Sequence, residues 1–434
     1  MRSDYPSDSQ RTLRKRGDGA RRESITPYRE GSKPRTKFVL CLVAGLVVLA
    51  LCGLESPRLH TLLTYRSHHA PRHLPAHQRP SPHPRQVTPT QAPVRGQVTA
   101  LSFSPDERLI AAGTELGTVT VWSVLSGRVV LSAKPYPGLV SVLRFSLDGR
   151  YLASGVWPEE EDNRPSPIFL WDLRSRQLAA VLRGHLNGVS DLVFGLDGHT
   201  LMSAGRDGSV RVWNLFTRTG RTVSSEHGIC YQLALSPDGR RLAVACNDTS
   251  AIALRLPSGK PVAAMKGLSQ EEVWTVAWSP DGRTLATGAR DYTLRLWDTR
   301  TWRTCRRIHV EECKGVEVLA FSPDGRTLCT GSDLWDVRTG RRLSRVGGRS
   351  WILQAQFLPD GRDMLAWGRM DRGVRLWQVR NGKLLHEFGP GSMPFALSVD
   401  GKMLATAPED PEISSDDHIR VWEMRTAKLL AALS

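Results

Sequence analysis

Residues 275–301 read TVAWSPDGRTLATGARDYTLRLWDTRT. Two short β-rich stretches meet at Ser279-Pro280-Asp281-Gly282, where proline presets φ and glycine supplies the permissive backbone of a tight turn. A third stretch ends at Trp297 and another turn follows it. The segment has no helical periodicity, so it reads as strand, hairpin, strand, turn and strand.

The unit recurs. VTALSFSPD, SVLRFSLDG, SDLVFGLDG, QLALSPDG, TVAWSPDG, EVLAFSPDG, QAQFLPDG and FALSVDG carry Asp106, Asp148, Asp197, Asp238, Asp281, Asp324, Asp360 and Asp400, on average 42 residues apart. That is the period of a four-stranded propeller blade. Third strands end at Trp122, Trp171, Trp213, Trp297, Trp335, Trp377 and Trp422, and a fourth follows, as in GKLLHEF. A small antiparallel sheet of this kind needs neighbours on both faces, and a closed ring provides them. Residues 97–434 are therefore predicted to be an all-β, eight-bladed β-propeller. Two units depart from the pattern. The fourth, AIALRLPSG, puts Arg255 where tryptophan belongs. The sixth has five residues fewer between Asp324 and Trp335 than separate Asp281 from Trp297, so its hairpin is stunted and seven regular blades with one imperfect wedge is the alternative count. The last unit supplies its own fourth strand, KLLAALS at 428–434, so the C-terminus is expected to finish its own blade.

FSPDGRTLCTG, LWDVRTG, LWDTRT and IFLWDLRSR resemble WD repeats, and the resemblance extends over residues 97–434. The hairpin also suits propellers similar to those of the periplasmic Tol system, but Trp-Asp at 171, 297 and 335 favours the WD type. The resemblance implies an interaction platform with no catalytic role. It also implies a hydrogen-bonded tetrad: a turn aspartate six residues before the tryptophan holds a histidine, which holds a strand Ser or Thr. His185, Ser203, Asp207 and Trp213 match it completely, as a polar network that rigidifies one blade. Asp291, Asp371 and Asp416 keep the aspartate spacing without a Gly-His pair upstream.

Charge sorts the rest of the chain. The net charge of +16 divides as +6 on residues 1–37, +5 on 38–96 and +5 on 97–434. A nucleic-acid-binding domain concentrates its basic excess on the folded part. Here the excess lies largely outside it, so no nucleic-acid partner is expected. Residues 38–54, FVLCLVAGLVVLALCGL, are seventeen uncharged apolar or small residues, at the short end of what crosses a hydrocarbon core of about 30 Å. They are predicted to be one transmembrane helix, an uncleaved signal anchor, because the leader is 37 residues long and no A-x-A site follows. The basic flank on the N-terminal side puts residues 1–37, a disordered tail, in the cytoplasm and the propeller beyond a cytoplasmic (inner) membrane, an arrangement that resembles a membrane-anchored bacterial-type member. Residues 55–96 hold eight prolines and six of the twelve histidines, which is the composition of a linker. Their histidines match no defined metal spacing, and no cofactor is expected.

The repeats contain no P-loop, H-E-x-x-H, C-x-x-C or G-x-S-x-G, so no enzyme is expected. Cys230 and Cys246 lie eight residues either side of Asp238, which puts them near one another on adjacent strands; they read as two small buried hydrophobes, with a disulfide the alternative where the propeller lies outside the cytoplasm. The family resemblance places the turns between second and third strands on the top face. Those turns divide by charge. Glu159, Glu160 and Glu161 in the second unit and Glu409, Asp410 and Glu412 in the eighth form an acidic sector, while Arg206, Arg290, Arg369 and Arg372 in units three, five and seven form a basic one. Trp157 is an aromatic anchor where it is exposed, and Trp274 and Trp351 read as core. The expected function is a membrane-tethered scaffold or sensor that binds protein or peptide partners on this face. The alternative is a periplasmic enzyme or small-ligand protein with its site in the central channel.

Overall fold

The computed structural model describes residues 96–434 except 159–162, 226, 249, 266–270, 311–314, 348–349, 390–391 and 409–417. The tail of residues 1–37, the apolar span 38–54 and the linker as far as residue 95 lie outside the described residues, together with the expectations made for them. Among the described residues no helix is long and apolar enough to cross a membrane.

Each repeat aspartate shapes its own hairpin. In all eight copies a carboxylate oxygen accepts the backbone N–H two residues on, that of Arg108, Arg150, His199, Arg240, Arg283, Arg326, Arg362 or Lys402, at 2.9–3.2 Å. In six copies the serine two residues earlier donates its hydroxyl to the same oxygen at 2.5–2.7 Å. That hydroxyl in turn accepts the N–H that opens the second strand, at 2.9–3.0 Å. Side-chain bonds of this kind give the chain a turn that needs no partner from elsewhere.

The hairpins organise eight four-stranded antiparallel sheets, each made of four consecutive strands. Blade 1 comprises β1 Val98–Phe103, β2 Leu109–Thr114, β3 Val119–Ser123 and β4 Val129–Ala133. Blades 2 to 8 span 139–182, 189–224, 230–265, 273–309, 320–345, 352–388 and 392–433. The chain is thus an eight-bladed propeller. The register pairs the start of each first strand with the end of the second, Val98 with Thr114 for example. One rim of the ring, here the upper rim, therefore carries the turns between second and third strands and the links between blades. The lower rim carries the repeat hairpins.

Successive strand residues point to opposite faces, and here both faces are buried. Ala100, Ala111 and Val121 pack toward blade 2, while Leu101, Ile110 and Trp122 pack toward blade 8. The same division produces an apolar cluster at each seam between neighbours, from blades 2 and 3 round to blades 7 and 8. First strands are also tied to one another across the seams. Thr99 donates to the Val140 carbonyl and Ser141 to the Val189 carbonyl, both at 2.6 Å. Asp191 accepts Leu233 N–H at 3.0 Å, Gln232 accepts Val276 N–H at 2.9 Å, and the Gln354 amide bonds both N–H and carbonyl of Phe395.

The last blade is completed by β32, Leu429–Leu433, so the C-terminal segment closes its own sheet. Across the closing seam the Trp122 indole donates to the Ser434 carbonyl at 3.1 Å. Blade 6 is the stunted one: β21 is only Ala320–Phe321, and β22 Thr327–Thr330 turns through Gly331 and Ser332 directly into β23 Asp333–Asp336. Gly331 takes a left-handed φ of 65° there, where a Cβ would be strained.

One sequence expectation needs correcting. Arg255 does not occupy the tryptophan position of blade 4. Leu242 pairs with Leu254 as Leu201 pairs with Trp213, so buried Leu254 replaces the indole and Arg255 stands one residue further, exposed. With no indole to mark the end of the third strand, the Pro257-Ser258-Gly259 turn alone does not fix that strand's register.

Candidate functional site on the upper rim

The local frame is clearest in blade 3. Asp207, in the turn before β11 Val210–Asn214, has its carboxylate oxygens 3.1 and 3.2 Å from His185 Nδ1. His185 Nε2 lies 2.6 Å from Ser203 Oγ, and the Trp213 indole donates to that same Oγ at 2.8 Å. The four residues named from the sequence are thus brought together, with His185 and Ser203 fully enclosed. Burial alone would raise the Asp207 carboxyl, but the His185 hydrogen bond and its attraction, with bonds from Leu186 N–H and the Ser209 hydroxyl, bring it down to about 2. Every polar atom of the set faces another member or the turn. The arrangement fastens the link ahead of the first strand to the turn after the second, and it offers no open position for a reacting atom.

The indole partner recurs elsewhere. Trp171, Trp297, Trp335 and Trp422 donate to Ser154, Thr287, Thr330 and Thr406 at 2.7–3.1 Å. Blade 7 has Ala366 at that position, and the buried Trp377 N–H has no partner. Asp291 and Asp371 serve their turns without a histidine: Asp291 accepts the Thr293 hydroxyl at 2.5 Å, and Asp371 accepts Gly368 N–H at 2.9 Å and pairs with Arg375. Asp416 lies outside the described residues.

Above this frame, three of the four named arginines stack on tryptophans. The Arg206 guanidinium is centred 4.2 Å from the Trp157 ring, Arg290 5.9 Å from Trp274, and Arg369 6.0 Å from Trp351. Trp157 is only 7% exposed, so it is not a free aromatic anchor. It ends β6, Tyr151–Trp157, beneath Arg206 and against Gly188, where an added Cβ would sit 3.1 Å from its ring. Trp274 and Trp351, expected in the core, are half-buried at the rim. Blade 3 is next to blade 2, and Arg206 reaches across their seam. Glu159, Glu160, Glu161, Glu409, Asp410 and Glu412 lie outside the described residues.

Polar groups join the stacks. Glu272 accepts the Tyr231 hydroxyl at 3.1 Å and the Trp274 indole at 2.7 Å. Burial, then the charge and hydrogen bond of Glu272, push the Tyr231 phenol well above its ordinary range. Arg290 approaches Glu271 at 3.8 Å, with both side chains about half exposed. In blade 7, Leu353 packs with Trp351 and Trp367, the last of which also touches the seam to blade 8, beside exposed Arg369, Met370 and Arg372. Aromatic surface capped by guanidinium groups, with an exposed Met370 at 78%, is the composition of a protein-binding hot spot.

The first strands of the blades offer less. Buried Arg144 and Asp191 pair at 3.2 Å, and burial, opposed by Arg144 and by the N–H groups of Leu233 and Leu192, raises the Asp191 carboxyl to about 6. Asp191 Oδ2 ties blade 3 to blade 4, so this ion pair belongs to the ring's construction. Sequence reading missed two further features. His227 and Asp248 pair at 2.8 Å in blade 4. On the lower rim Arg108, Arg240, Arg283, Arg326, Arg362 and Lys402 follow the hairpin aspartates and are exposed with them, so that rim alternates carboxylates and cations.

The family model described as WD domain, G-beta repeat matches residues 88–123, 176–214, 259–298 and 303–336, so the chain carries WD40 repeats. Transducin beta-like protein 3 of Bos taurus is 33% identical over 118 residues, 27% of this chain and 14% of that protein. Periodic tryptophan protein 2 of Arabidopsis thaliana is 26% identical over 184 residues, 34% of this chain and 20% of that protein. WD repeat and SOCS box-containing protein 1 of Homo sapiens is 30% identical over 114 residues, 26% of each chain. The chain spans between 14% and 26% of the length of these relatives. Among solved structures, the crystal structure of the computationally designed Ika8 protein matches with a TM-score of 0.63 at 20% identity, covering 76% of this chain and 98% of that one, a likeness of fold.

Proposed function

We propose that this protein is a membrane-tethered interaction scaffold whose propeller captures a protein or peptide partner on its upper rim. The observation that carries the reading is the row of guanidinium-on-indole stacks at Arg206, Arg290 and Arg369. Such stacks are large, rigid and amphipathic, so they bury on contact with little loss of side-chain freedom. WD-repeat propellers generally serve as protein-interaction platforms, and the WD40 repeats in this chain support the same role.

In this reading residues 38–54 anchor the chain in a cytoplasmic membrane with residues 1–37 inside. The linker holds the propeller on the far side, and Glu159, Glu160 and Glu161 add an acidic stretch to the rim. The repeats contain no catalytic motif, and the buried Asp191 carboxylate is occupied in tying blades together. The test is cross-linked capture from intact membranes by the full chain and by a variant carrying Arg206→Glu, Arg290→Glu and Arg369→Glu. Loss of at least tenfold in captured partner, with the melting temperature held within a few degrees, supports the reading. Undiminished capture by the folded variant overturns it.

A further inference from the structure

Blade 4 lacks both ends of the indole bond, with Leu254 in place of the tryptophan and Val244 in place of the hydroxyl. A different set of groups fills the space. Asp248 stands six residues before Leu254, as Asp207 stands before Trp213, and its Oδ2 lies 2.8 Å from His227 Nδ1. His227 Nε2 turns away from the second strand to Ser224 Oγ, 3.0 Å distant.

The decisive position is 246. In blade 3 its counterpart is Gly205, where an added Cβ would lie 2.4 Å from His185 Nδ1 and 2.5 Å from Asp207 Oδ1. A side chain there points into the histidine–aspartate pair, and blade 4 places a cysteine there. The donor atoms of Cys246, His227 and Asp248 all lie within 4.8 Å of one another. Directly across the hairpin, Cys230 brings a second sulfur to 3.6 Å from the first; it lies outside the 4.8 Å group and must turn inward to join it. A disulfide needs about 2.0 Å. Two thiolates held tetrahedrally by one zinc at about 2.3 Å each stand about 3.8 Å apart.

We propose that Cys230, Cys246, His227 and Asp248 form a four-coordinate site for a zinc-type divalent cation. Two sulfurs, one imidazole nitrogen and one carboxylate oxygen suit a borderline-soft ion and disfavour magnesium or calcium, which take oxygen ligands. Binding forms two metal–sulfur bonds, one metal–nitrogen bond and one metal–oxygen bond, and it releases the two thiol protons to solvent. Both sulfurs are buried, while His227 is half-buried and Asp248 exposed, so the ion enters past the aspartate. Once bound, it fastens the link ahead of the first strand to the turn after the second, the connection that His185 and Asp207 make in blade 3.

The test titrates the reduced full-length chain in detergent with Co²⁺ alone. One cobalt per chain is expected, with thiolate-to-cobalt charge-transfer absorption that Zn²⁺ displaces. Imidazole ligation alone, as by a linker histidine, does not give that absorption, so the band isolates this site. Cys246→Ala and Cys230→Ala abolish it, His227→Ala weakens affinity by more than about 100-fold, and His199→Ala leaves it unchanged. Should a cysteine variant fold poorly, Asp248→Asn at the exposed edge carries the test: Zn²⁺ raises the melting temperature of the wild type and not of this variant. Absence of the band at stoichiometric cobalt, its persistence in Cys246→Ala, or a Cys230–Cys246 disulfide in protein taken from membranes overturns the proposal.

Discussion

Ala366→Ser should stabilise the propeller, although it introduces a polar atom into a fully buried site. Five tryptophans donate their indole N–H to a hydroxyl two residues beyond the one that faces them on the second strand, at 2.7–3.1 Å. Trp377 faces Met364, the residue two further is Ala366, and the Trp377 N–H is buried without a partner. A buried donor left unsatisfied costs about 1–3 kcal/mol. Serine restores the bond with one added atom, offset by its own desolvation and by tighter packing against Ala355 and Cys329. The net gain expected is about 1 kcal/mol, or about 2 °C in melting temperature for a domain of this size. Blade 1 supplies the control: its equivalent residue is Ala112, but Trp122 already donates to the Ser434 carbonyl at 3.1 Å, so Ala112→Ser should give nothing. Thermal and urea melts of both variants, combined with Trp377→Phe in a double-mutant cycle, isolate the bond. The reasoning is refuted if Ala366→Ser is neutral or destabilising, or if its gain survives in the Trp377→Phe background.

Ser203→Ala should cost about 2 kcal/mol in the same melts, since it leaves both His185 Nε2 and the Trp213 N–H without their shared oxygen. Gly205→Ala should be at least as damaging, because the new methyl would overlap His185 and Asp207. The Asp207 carboxyl is lowered from its ordinary 3.8 to about 2, so the stability it contributes is present above about pH 4 and is lost as pH falls through 2. That contribution is on the order of 2 kcal/mol, and Asp207→Asn should flatten the acid limb of a stability-versus-pH curve; an unchanged limb would remove Asp207 from the account.

The repeat, its hairpin aspartates and the stunted sixth blade were legible because they depend on residues close together in the chain. The Ser-x-Asp hairpin forms its bonds within six residues, and the length of the sixth hairpin can be counted. The tetrad partners were legible for the same reason, since spacing from Trp213 locates Asp207 and Ser203. Blade 4 resisted because Leu254 gives no marker for the third strand, which shifted the reading by one residue onto Arg255. That shift hid Asp248, and His227 escaped because it precedes its glycine where His185 follows one. The arginine–tryptophan stacks resisted for another reason. Arg206 meets Trp157 across a seam between blades, and composition of the separate turns does not show which rings lie beneath which guanidinium groups.

Site-specific photo-cross-linking in intact membranes tests the central claim most directly, using the full chain with a photoreactive residue at one of two equally exposed positions. Met370, 78% exposed, lies on the upper rim beside Arg369, and Phe216, 79% exposed, lies on the lower rim in the turn after Trp213. The account predicts a discrete cross-linked partner from position 370 and none from position 216. Equal capture from both positions, or capture from 216 alone, would contradict it.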